Sequence, residues 1–290
     1  MRVRMAQWPP RGGGFEMTTS TEERKDQILS RLYASGHVRV KDLSDELGVS
    51  EATVRRDLHA LAEEHKIDLV YGGATVRRNG DFSFRAKAMR NVEAKRVVGQ
   101  LAAAMVADGE SIFLDSGTTC FAMAAHLKQR RELAIIANSS RLAMEFETPG
   151  ISMIMLGGLY RPDRMDTVGA MAENSLEMLR GYTAFIGADG LSMDFGLTAS
   201  DIESAHLYGV AVKNAQKTVL VADHEKFASP SLYKIVGFEG ISRVVTDVRP
   251  GPEWMNFLAD RGIEVIYPPS QADEAAAIPD QPTKQEHVDA

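Results

Sequence analysis

The sequence has very little cysteine and no long hydrophobic run. Cys120 is the single cysteine among 290 residues, which excludes a disulfide within the chain and fits a reducing compartment, so we predict a cytoplasmic location. The longest apolar segments, such as ELAIIA at 132–137 and ISMIML at 151–156, are much shorter than the roughly 18 residues of a membrane-spanning helix. We therefore predict no membrane span, and we expect Cys120 to be a small buried residue rather than a reactive thiol.

Motifs for cofactors and catalysis are also missing. The sequence contains no metal-ligand cluster, nucleotide fingerprint or catalytic triad, so we predict no metal site, no cofactor and no catalytic residue. The formal net charge of -7 argues against a protein covered by basic patches, but it leaves room for a local surface that binds nucleic acid. The chain is long enough for two ordinary domains.

Both ends of the chain are predicted to lie outside the folded domains. Residues 1–19 contain Pro-Pro and Gly-Gly-Gly, so we interpret them as a flexible extension and not as a secretory signal. A translation start at Met17 explains them equally well. Residues 269–290 are rich in proline, alanine, glutamine and acids, which is typical of a disordered tail.

The first region with a regular pattern predicts three short helices. Ser20, with a glutamate three residues later, has the capping-box pattern at the start of the first helix. Gly36 and Gly48 are predicted to end the first and second helices, and Ser50 is a good N-cap for the third. This arrangement is typical of a helix-turn-helix unit, and the alternating segment KIDLVYGGATV at 66–76 predicts a β-hairpin wing after it.

The third predicted helix has one apolar side. Val54, Leu58 and Leu61 recur at i, i+4 and i+7 and are expected to be buried. The cationic residues off this side are Arg55, Arg56 and His59. The two arginines either contact a partner or form surface ion pairs, which would stabilise the helix by only a few tenths of a kcal/mol. The acids available for such pairs are Glu51, Asp57 and Glu63.

The segments VKDLSDELGVSEATVRRDLHALAEE and VYGGA resemble the DNA-binding domain of the DeoR family of bacterial transcription regulators. The resemblance implies a winged helix-turn-helix domain, at residues 20–76, whose third helix enters the major groove of DNA. By this resemblance, the residues expected to contact operator DNA are Ser50, Thr53, Arg55, Arg56 and His59. The chain departs from the family pattern at His65, where glycine is usual, and at Asp68 and Leu69, where basic residues are usual.

The remaining sequence predicts a linker and an α/β domain. Residues 77–91 are polar and basic without sustained periodicity, so we predict a linker there, whose basic residues contact either DNA phosphates or solvent. Between residues 92 and 268, helical patterns alternate with short β-runs: SIFLD, ELAIIAN, ISMIML, YTAFIGA, KTVLVAD, RVVTD and EVIYP. The alternation predicts a mostly parallel sheet, and ligands of such sheets bind at the carboxyl ends of strands.

Small and polar residues follow several of these predicted strands. The loop at 115–119 offers backbone N–H groups and hydroxyls ahead of a helix, which suits a phosphate, although a plain capped turn has the same pattern. Lys226 is a candidate charge for a phosphate, and Asp223 a candidate acceptor for sugar hydroxyls. Taken singly, each position is equally well explained as a turn, a cap or a surface ion pair.

The segments LDSGTT, ANS, LGGLYRP, GADG and VADHEKF resemble, in this order, the sensor domain of the DeoR family, which is related in fold to ribose-phosphate isomerases. The resemblance implies a phosphorylated sugar or sugar derivative as effector, and a homo-oligomer, dimer or tetramer, that binds an operator. The implied effector-binding residues are Asp115, Ser116, Gly117, Thr118, Thr119, Asn138, Gly157, Gly158, Asp189, Asp223 and Lys226. A lysine is common in the family near Leu207, so we expect an unusual effector.

Three functions compete at this point. The leading hypothesis is a transcription regulator of carbohydrate metabolism, usually a repressor in this family. The second is a sugar-phosphate isomerase, which the sequence disfavours because the resembling enzymes have further acids around GAD, where this chain has Ile186 and Gly190. The third is a DNA-binding scaffold whose sensor has lost its ligand. We therefore predict a regulator and no enzymatic activity.

Overall fold

The computed structural model describes residues 21–35, 37–64, 67–76, 84–147 and 149–269. The chain divides into two units, residues 1–81 and residues 82–290, which are called the N-terminal unit and the C-terminal unit below. None of the described helices is long and apolar enough to cross a membrane. The predictions for residues 1–20, Gly36, His65 and the tail beyond residue 269 concern positions outside the described residues.

The N-terminal unit combines three helices with a small sheet. Its elements are α1 (Thr21–Ser35), β1 (His37–Arg39), α2 (Val40–Leu47), α3 (Glu51–Glu63), β2 (Ile67–Val70) and β3 (Gly73–Val76). The strands are antiparallel in the order β1-β3-β2, so the predicted hairpin is confirmed and a third strand joins it. At the end of α2, Gly48 has a φ of 65°, a left-handed conformation that favours glycine.

The C-terminal unit alternates helices and strands. Its helices are α4 (Phe84–Ala88), α5 (Val92–Ala104), α6 (Thr118–Phe121), α7 (Ala124–Leu127), α8 (Ser140–Glu145), α9 (Ala170–Glu177), α10 (Ile202–Asn214) and α11 (Pro252–Ala259). Its strands are β4 (Ser111–Leu114), β5 (Leu133–Ala137), β6 (Ile151–Met155), β7 (Leu159–Arg161), β8 (Asp166–Val168), β9 (Thr183–Ile186), β10 (Gly190–Ser192), β11 (Gly196–Ala199), β12 (Lys217–Val221), β13 (Tyr233–Val236), β14 (Arg243–Val245) and β15 (Glu264–Ile266).

The seven predicted β-runs form one parallel sheet, which confirms the predicted fold class. Its strand order is β15-β14-β12-β9-β4-β5-β6, and every neighbouring pair is parallel. Helices cover both faces of this sheet. Successive residues of a strand point to opposite faces, so neighbouring residues pack against different helices. In β4, Ile112 and Leu114 pack with α5, α7 and α8, whereas Phe113 packs with α9, α10 and α11.

The structure differs from the sequence expectations in several local features. The predicted linker 77–91 contains α4, and the C-terminal unit begins at residue 82 rather than 92. The helical region between β4 and β5 consists of two short helices, α6 and α7. In addition, β7 pairs with β8, and β10, β11 and β13 form a second antiparallel sheet. These added strands have only three or four residues, too few to produce a clear alternation in the sequence.

Candidate DNA-binding surface and effector site

Helix α3 exposes the predicted DNA-contact residues away from its buried side chains. Its N-cap Ser50 accepts a hydrogen bond from the backbone N–H of Thr53 at 3.2 Å, as the sequence predicted. The apolar residues expected to be buried are in the core, since Val54, Leu58 and Leu61 are at most 1% exposed. The arginines at 55 and 56 and the histidine at 59 are exposed to solvent.

The two arginines of α3 differ in their contacts, and Asp57 is not their partner. Arg55 donates to Glu51 at 3.0 Å in an exposed i,i+4 pair, whereas Arg56 has no ion-pair partner among the described residues. Asp57 is buried and binds the guanidinium of Arg24 through two hydrogen bonds of 2.6 and 3.1 Å. One arginine of α3 is therefore held by a neighbouring acid, and the other is available to a partner.

The wing presents apolar residues where the resembling family has basic ones. Leu69 and Val70 are 40% and 49% exposed, and Tyr71 at the turn is fully exposed. The hairpin depends on Gly73, because a Cβ there would lie 1.9 Å from the carbonyl oxygen of Val38 in β1. No residue from 67 to 76 has a positively charged side chain, so phosphate contacts of this wing would come from backbone N–H groups or from hydroxyls such as that of Tyr71.

The sheet order brings the predicted effector-binding positions to one edge. Strands β12, β9, β4, β5 and β6 are consecutive neighbours, and each is followed by one of the predicted loops. Because parallel strands lie about 4.8 Å apart, their carboxyl ends form a row of about 19 Å. We call this row, from Asp223 after β12 to Gly157 after β6, the strand-end row.

Asp115 ties two loops of the strand-end row together. It is 1% exposed, and its carboxylate accepts hydrogen bonds from the N–H groups of Gly117, at 2.7 Å, and of Gly187. Burial raises the pKa of this carboxyl above its ordinary value. The buried carboxylate therefore holds the 115–119 loop and the loop after β9 together from within.

Ser116 is held by residues that the sequence did not single out. Its hydroxyl donates to Asp166 at 3.0 Å and lies 2.8 Å from the hydroxyl of Tyr208 in α10. The same Asp166 carboxylate receives Nε and Nη2 of Arg161, both at 2.8 Å. The β7–β8 hairpin and α10 thus orient the 115–119 loop, over sequence separations of 50 and 92 residues.

A second acid completes this network. Asp201, the N-cap of α10, binds Arg161 at 2.7 Å and Arg164 at 3.1 Å. The segment LYRPDRMD at 159–166 contains both arginines and Asp166, and only its first four residues belong to the LGGLYRP motif of the family resemblance. Its alternation of cations and acids was the available signal for such a network.

Asn138 and the glycines after β6 have different roles. Asn138 is fully buried, and its Nδ2 donates to the carbonyl of Thr167 at 2.9 Å, while its Oδ1 has no hydrogen-bond partner. Gly158 is needed for packing, because its φ is +151° and a Cβ would lie 2.6 Å from the carbonyl oxygen of Val168. Gly157 has open space around its Cα.

Asp189 has a cationic partner from α4. Its Oδ1 lies 2.5 Å from Nζ of Lys87, and its Oδ2 accepts the N–H of Ser200 at 2.8 Å together with the Ser200 hydroxyl. Burial acts to raise the pKa of Asp189, but the charge and hydrogen bond of Lys87 outweigh it and hold the pKa at about 2. The aspartate is therefore ionised at neutral pH.

Asp223 and two lysines end the strand-end row. Asp223 is fully buried, with Oδ1 accepting from Nδ2 of Asn91 at 3.3 Å and Oδ2 lying 3.5 Å from Nζ of Lys95. Burial lowers the pKa of Lys95, and the nearby charge of Lys226 acts in the same direction. Sequence reasoning missed Lys95, although it lies on the buried side of α5 with Val98 and Ala102, an unusual place for a lysine.

Two other sequence expectations concern single side chains. Leu207, at the position discussed for an unusual effector, is fully buried in the core beneath the sheet, next to the Ser116 partner Tyr208. Cys120 is buried as expected, and burial raises the pKa of its thiol well above its ordinary value. No group of His, Cys, Asp and Glu residues in the described part of the chain could hold a metal ion.

The pair of His224 and Asp247, beside the strand-end row, should make the stability of this unit slightly dependent on pH. Nδ1 of His224 lies 2.7 Å from the Asp247 carboxylate, which raises the pKa of the histidine. Stabilisation by a raised histidine pKa is present below about 6.5 and is lost as pH rises through the folded-state pKa. We expect His224→Gln to lower the free energy of unfolding by about 0.5 kcal/mol at pH 6, since the His224 side chain is half exposed, and to have no effect at pH 9.

Denaturant titrations at both pH values test this expectation. His206→Gln is the control, because His206 is an exposed histidine of the same unit with no ion pair among the described residues. An equal loss of stability for His224→Gln at both pH values would show that the contribution does not come from the imidazolium.

The fold and the two sites together define a class of protein. Residues 24–79 match the sequence profile described as DeoR-like helix-turn-helix domain, and residues 90–248 match the DeoR C terminal sensor domain. A helix-turn-helix unit followed by such a sensor is a DNA-binding transcription regulator that responds to a small molecule, and it is not an enzyme. This chain belongs to the DeoR family. Its two units are called the DNA-binding unit and the sensor unit below.

Relatives align with the chain over most of its length. It is 30% identical over 258 residues to the putative aga operon transcriptional repressor of Escherichia coli O157:H7, which covers 87% of this chain and 96% of that protein. It is 31% identical over 250 residues to the uncharacterized HTH-type transcriptional regulator YulB of Bacillus subtilis (strain 168), covering 85% and 96%. It is 28% identical over 238 residues to the lactose phosphotransferase system repressor of Lactococcus lactis subsp. lactis, covering 80% and 93%.

Solved structures with similarity to the chain include two groups. Ribose 5-phosphate isomerase A from Methanocaldococcus jannaschii aligns with a TM-score of 0.35 and 22% identity, covering 47% of this chain and 55% of that chain. The eIF2B delta structure from Chaetomium thermophilum aligns with a TM-score of 0.42 and 13% identity, covering 81% and 93%. The family assignment rests on the two domain matches and the sequence relatives.

Proposed function

We propose that this regulator is a repressor of genes of carbohydrate metabolism and that its sensor unit binds a phosphorylated sugar or sugar derivative. The observation that carries the proposal is the strand-end row, which collects glycines, hydroxyls, carboxylates and lysines at the ends of five adjacent strands. The names of two relatives support it, since one is a putative aga operon repressor and another is a lactose phosphotransferase system repressor.

The strand-end row combines the two chemistries that a sugar phosphate requires. Lys95 and Lys226, close to each other, offer positive charge for a phosphate group. The carboxylates of Asp189 and Asp223 accept hydrogen bonds from hydroxyls. The hydroxyls of the 115–119 loop and the unpaired Oδ1 of Asn138 add further polar groups. We retain as effector-binding residues Asp115, Ser116, Gly117, Thr118, Thr119, Asn138, Gly157, Gly158, Asp189, Asp223 and Lys226.

The effector is tested by fluorescence anisotropy on DNA from the region upstream of the gene, at stated salt. The panel contains glucose 6-phosphate, ribose 5-phosphate and glycerol 3-phosphate, each paired with its unphosphorylated form. We expect one phosphorylated compound to change operator affinity and, at 100 times its Kd, to stabilise the sensor unit by about 2.7 kcal/mol. Specific DNA binding with neither response would favour a scaffold that has lost its ligand.

For the operator, we propose contacts from Ser50, Thr53, Arg55, Arg56 and His59 on helix α3. Arg56 is the strongest candidate, because it is exposed and has no intramolecular ion pair among the described residues. We expect Arg56→Ala to weaken specific binding by about 1 to 3 kcal/mol, the loss typical of an arginine that contacts a base. Anisotropy titrations on the operator and on a scrambled duplex measure this loss.

The control for Arg56→Ala is Arg243→Ala, which removes an exposed arginine from the sensor unit, where it binds Glu264. The control is expected to bind the operator like the wild type. If Arg56→Ala also keeps full affinity at the same salt, α3 does not read DNA through this side chain. An equal loss on the operator and the scrambled duplex would assign Arg56 to phosphate contact.

A homo-oligomer, dimer or tetramer, completes the proposed function. Two-fold symmetry would present paired α3 helices to repeated half-sites, one helical turn apart or a multiple of it. Light scattering with and without operator DNA measures the stoichiometry, and a monomer bound to a single half-site would contradict this part of the proposal.

A further inference from the structure

Helix α4 is the first element of the sensor unit, and it contacts several parts of the strand-end row. Only residues 77–83 separate it from β3, the last strand of the DNA-binding unit. Its side chains and those of the turn that follows it contact Asp189 and Asp223, two of the proposed effector-binding residues, and two helices that follow other proposed loops. A short helix that touches the proposed effector site is well placed to sense occupancy of that site.

Phe84 anchors the beginning of α4. Its ring packs edge to face against Phe121, with 5.3 Å between ring centroids, and the guanidinium carbon of Arg141 lies 4.1 Å from its centroid. Phe121 belongs to α6, which follows the 115–119 loop, and Arg141 belongs to α8, which follows Asn138. Phe84 is therefore seated on the two helices that begin at proposed effector-binding loops.

Lys87 binds a proposed effector-binding residue directly. Its Nζ lies 2.5 Å from Oδ1 of Asp189, and both side chains are about a quarter to a third exposed. The pair links α4 to the loop after β9 over a separation of 102 residues. Because the ion pair is partly open to solvent, it is worth little enough to be exchanged for a ligand contact.

The turn after α4 is bound to Asp223 at the end of the strand-end row. Asn91 has a φ of 50°, in the left-handed region that asparagine tolerates, and its side chain donates to Asp223 at 3.3 Å. Lys95 bridges the same carboxylate and the backbone carbonyl of Arg90. Lys87 and the turn after α4 therefore depend on carboxylates that the proposed effector would contact, whereas Phe84 rests on helices next to the proposed loops.

We propose that α4 is a latch that transmits effector occupancy to the DNA-binding unit. The inference rests on the proposed function, and it adds how the sensor site is coupled to DNA. A ligand whose hydroxyls bind Asp189 competes with Lys87, and a ligand whose phosphate binds near Lys95 disturbs the turn at Asn91. Effector binding exchanges these contacts and changes the position or order of α4, which is the first described element after β3 in the chain. Such an exchange provides the differential affinity that any allosteric ligand must have.

The latch is tested first without any effector, by Lys87→Met. This variant removes the ion pair with Asp189 and retains an apolar side chain of similar length. We expect faster hydrogen exchange in residues 84–91 and a change in operator affinity of at least about fivefold, the lower end of typical allosteric coupling. Phe84→Leu weakens the other anchor without changing a charge and should shift affinity in the same direction. Lys87→Arg retains the charge and should stay within about twofold of the wild type.

The matched control is Arg243→Met, which breaks an exposed arginine–glutamate pair of 2.6 Å at the amino ends of β14 and β15, opposite the strand-end row. The control should change neither the hydrogen exchange of residues 84–91 nor the operator affinity. Thermal unfolding checks that all variants are folded. Operator affinity of Lys87→Met and Phe84→Leu within twofold of the wild type would overturn the latch, whether or not exchange in α4 increases.

The panel of phosphorylated compounds separates this inference from the proposed function. If no compound affects the wild type but Lys87→Met shifts operator affinity, the effector class is wrong and the latch stands. The opposite outcome is that a compound changes the operator affinity of the wild type, while Lys87→Met and Phe84→Leu bind the operator like the wild type without it. If the compound also changes the operator affinity of both variants by the same factor as for the wild type, the effector class stands and the latch is wrong.

Discussion

Asp57→Ala is expected to destabilise the DNA-binding unit by about 3 kcal/mol, because it leaves the Arg24 guanidinium without its buried partner. Asp57 is 3% exposed and receives two hydrogen bonds from Arg24, whose side chain is 12% exposed. The pair joins α1 to α3, so its loss also loosens the helix proposed to contact DNA. Hydrogen exchange of α1 and α3 measures the effect separately from the sensor unit.

The control for Asp57→Ala is Glu51→Ala in the same helix. Glu51 pairs with Arg55 on the surface, with side chains 49% and 55% exposed, so its removal should cost only about 0.3 to 0.5 kcal/mol. Equal effects of the two substitutions would contradict the assignment of Asp57 as a buried structural acid. Replacing both partners, as Arg24→Met with Asp57→Leu, should recover part of the loss, because no buried charge is then left unpaired.

Asp166→Ala is expected to destabilise the sensor unit by about 3 to 5 kcal/mol, the typical cost of removing one partner from a buried ion pair. The Asp166 side chain is 2% exposed and accepts two hydrogen bonds from Arg161 and one from Ser116. Without it, the Ser116 hydroxyl also loses its orientation toward the strand-end row. We therefore expect weaker effector affinity in addition to lower stability.

Denaturant unfolding with hydrogen exchange of β7, β8 and α10 measures the effect of Asp166→Ala. Glu145→Ala is the control, since Glu145 pairs with Lys128 at the surface and its loss should cost less than about 1 kcal/mol. Asp166→Asn, which retains the volume and one acceptor, should be intermediate. A loss below about 1 kcal/mol for Asp166→Ala would mean that Asp201 alone is sufficient to hold Arg161.

The main elements of both units could be predicted because each has a local pattern of adequate length. The inner strands of the parallel sheet are mostly apolar and buried, as expected for strands with helices on both faces. Helix α3 has an apolar repeat and a serine N-cap, and α2 ends at a left-handed glycine. The short antiparallel strands of the sensor unit and α4 have no comparable pattern, because three to five residues do not complete a periodic repeat.

The sequence could predict that the candidate residues follow strands, but not which side chains they contact. Residues after parallel strands share one edge of the sheet, whereas the order of the strands along that edge is known only from the structure. Which side chains meet there depends on partners 50 to 132 residues away, as Ser116 with Asp166 and Asn91 with Asp223 illustrate. Sequence proximity also misled, because Asp57 was considered as a partner of the neighbouring arginines and instead binds Arg24.

The sequence by itself determined the two-part organisation, the type of each fold and the family. Periodicity, capping and short motifs depend only on residues that are close together in the sequence, so they can be recognised without the structure. Only the tertiary structure decided which charges are paired and which remain available. It assigned Asp166 to Ser116 and Arg161, Lys87 to Asp189 and Arg55 to Glu51, and it left Arg56 exposed. The physical reason is that an ion pair depends on distance and burial, and both are set by packing between elements distant in the chain.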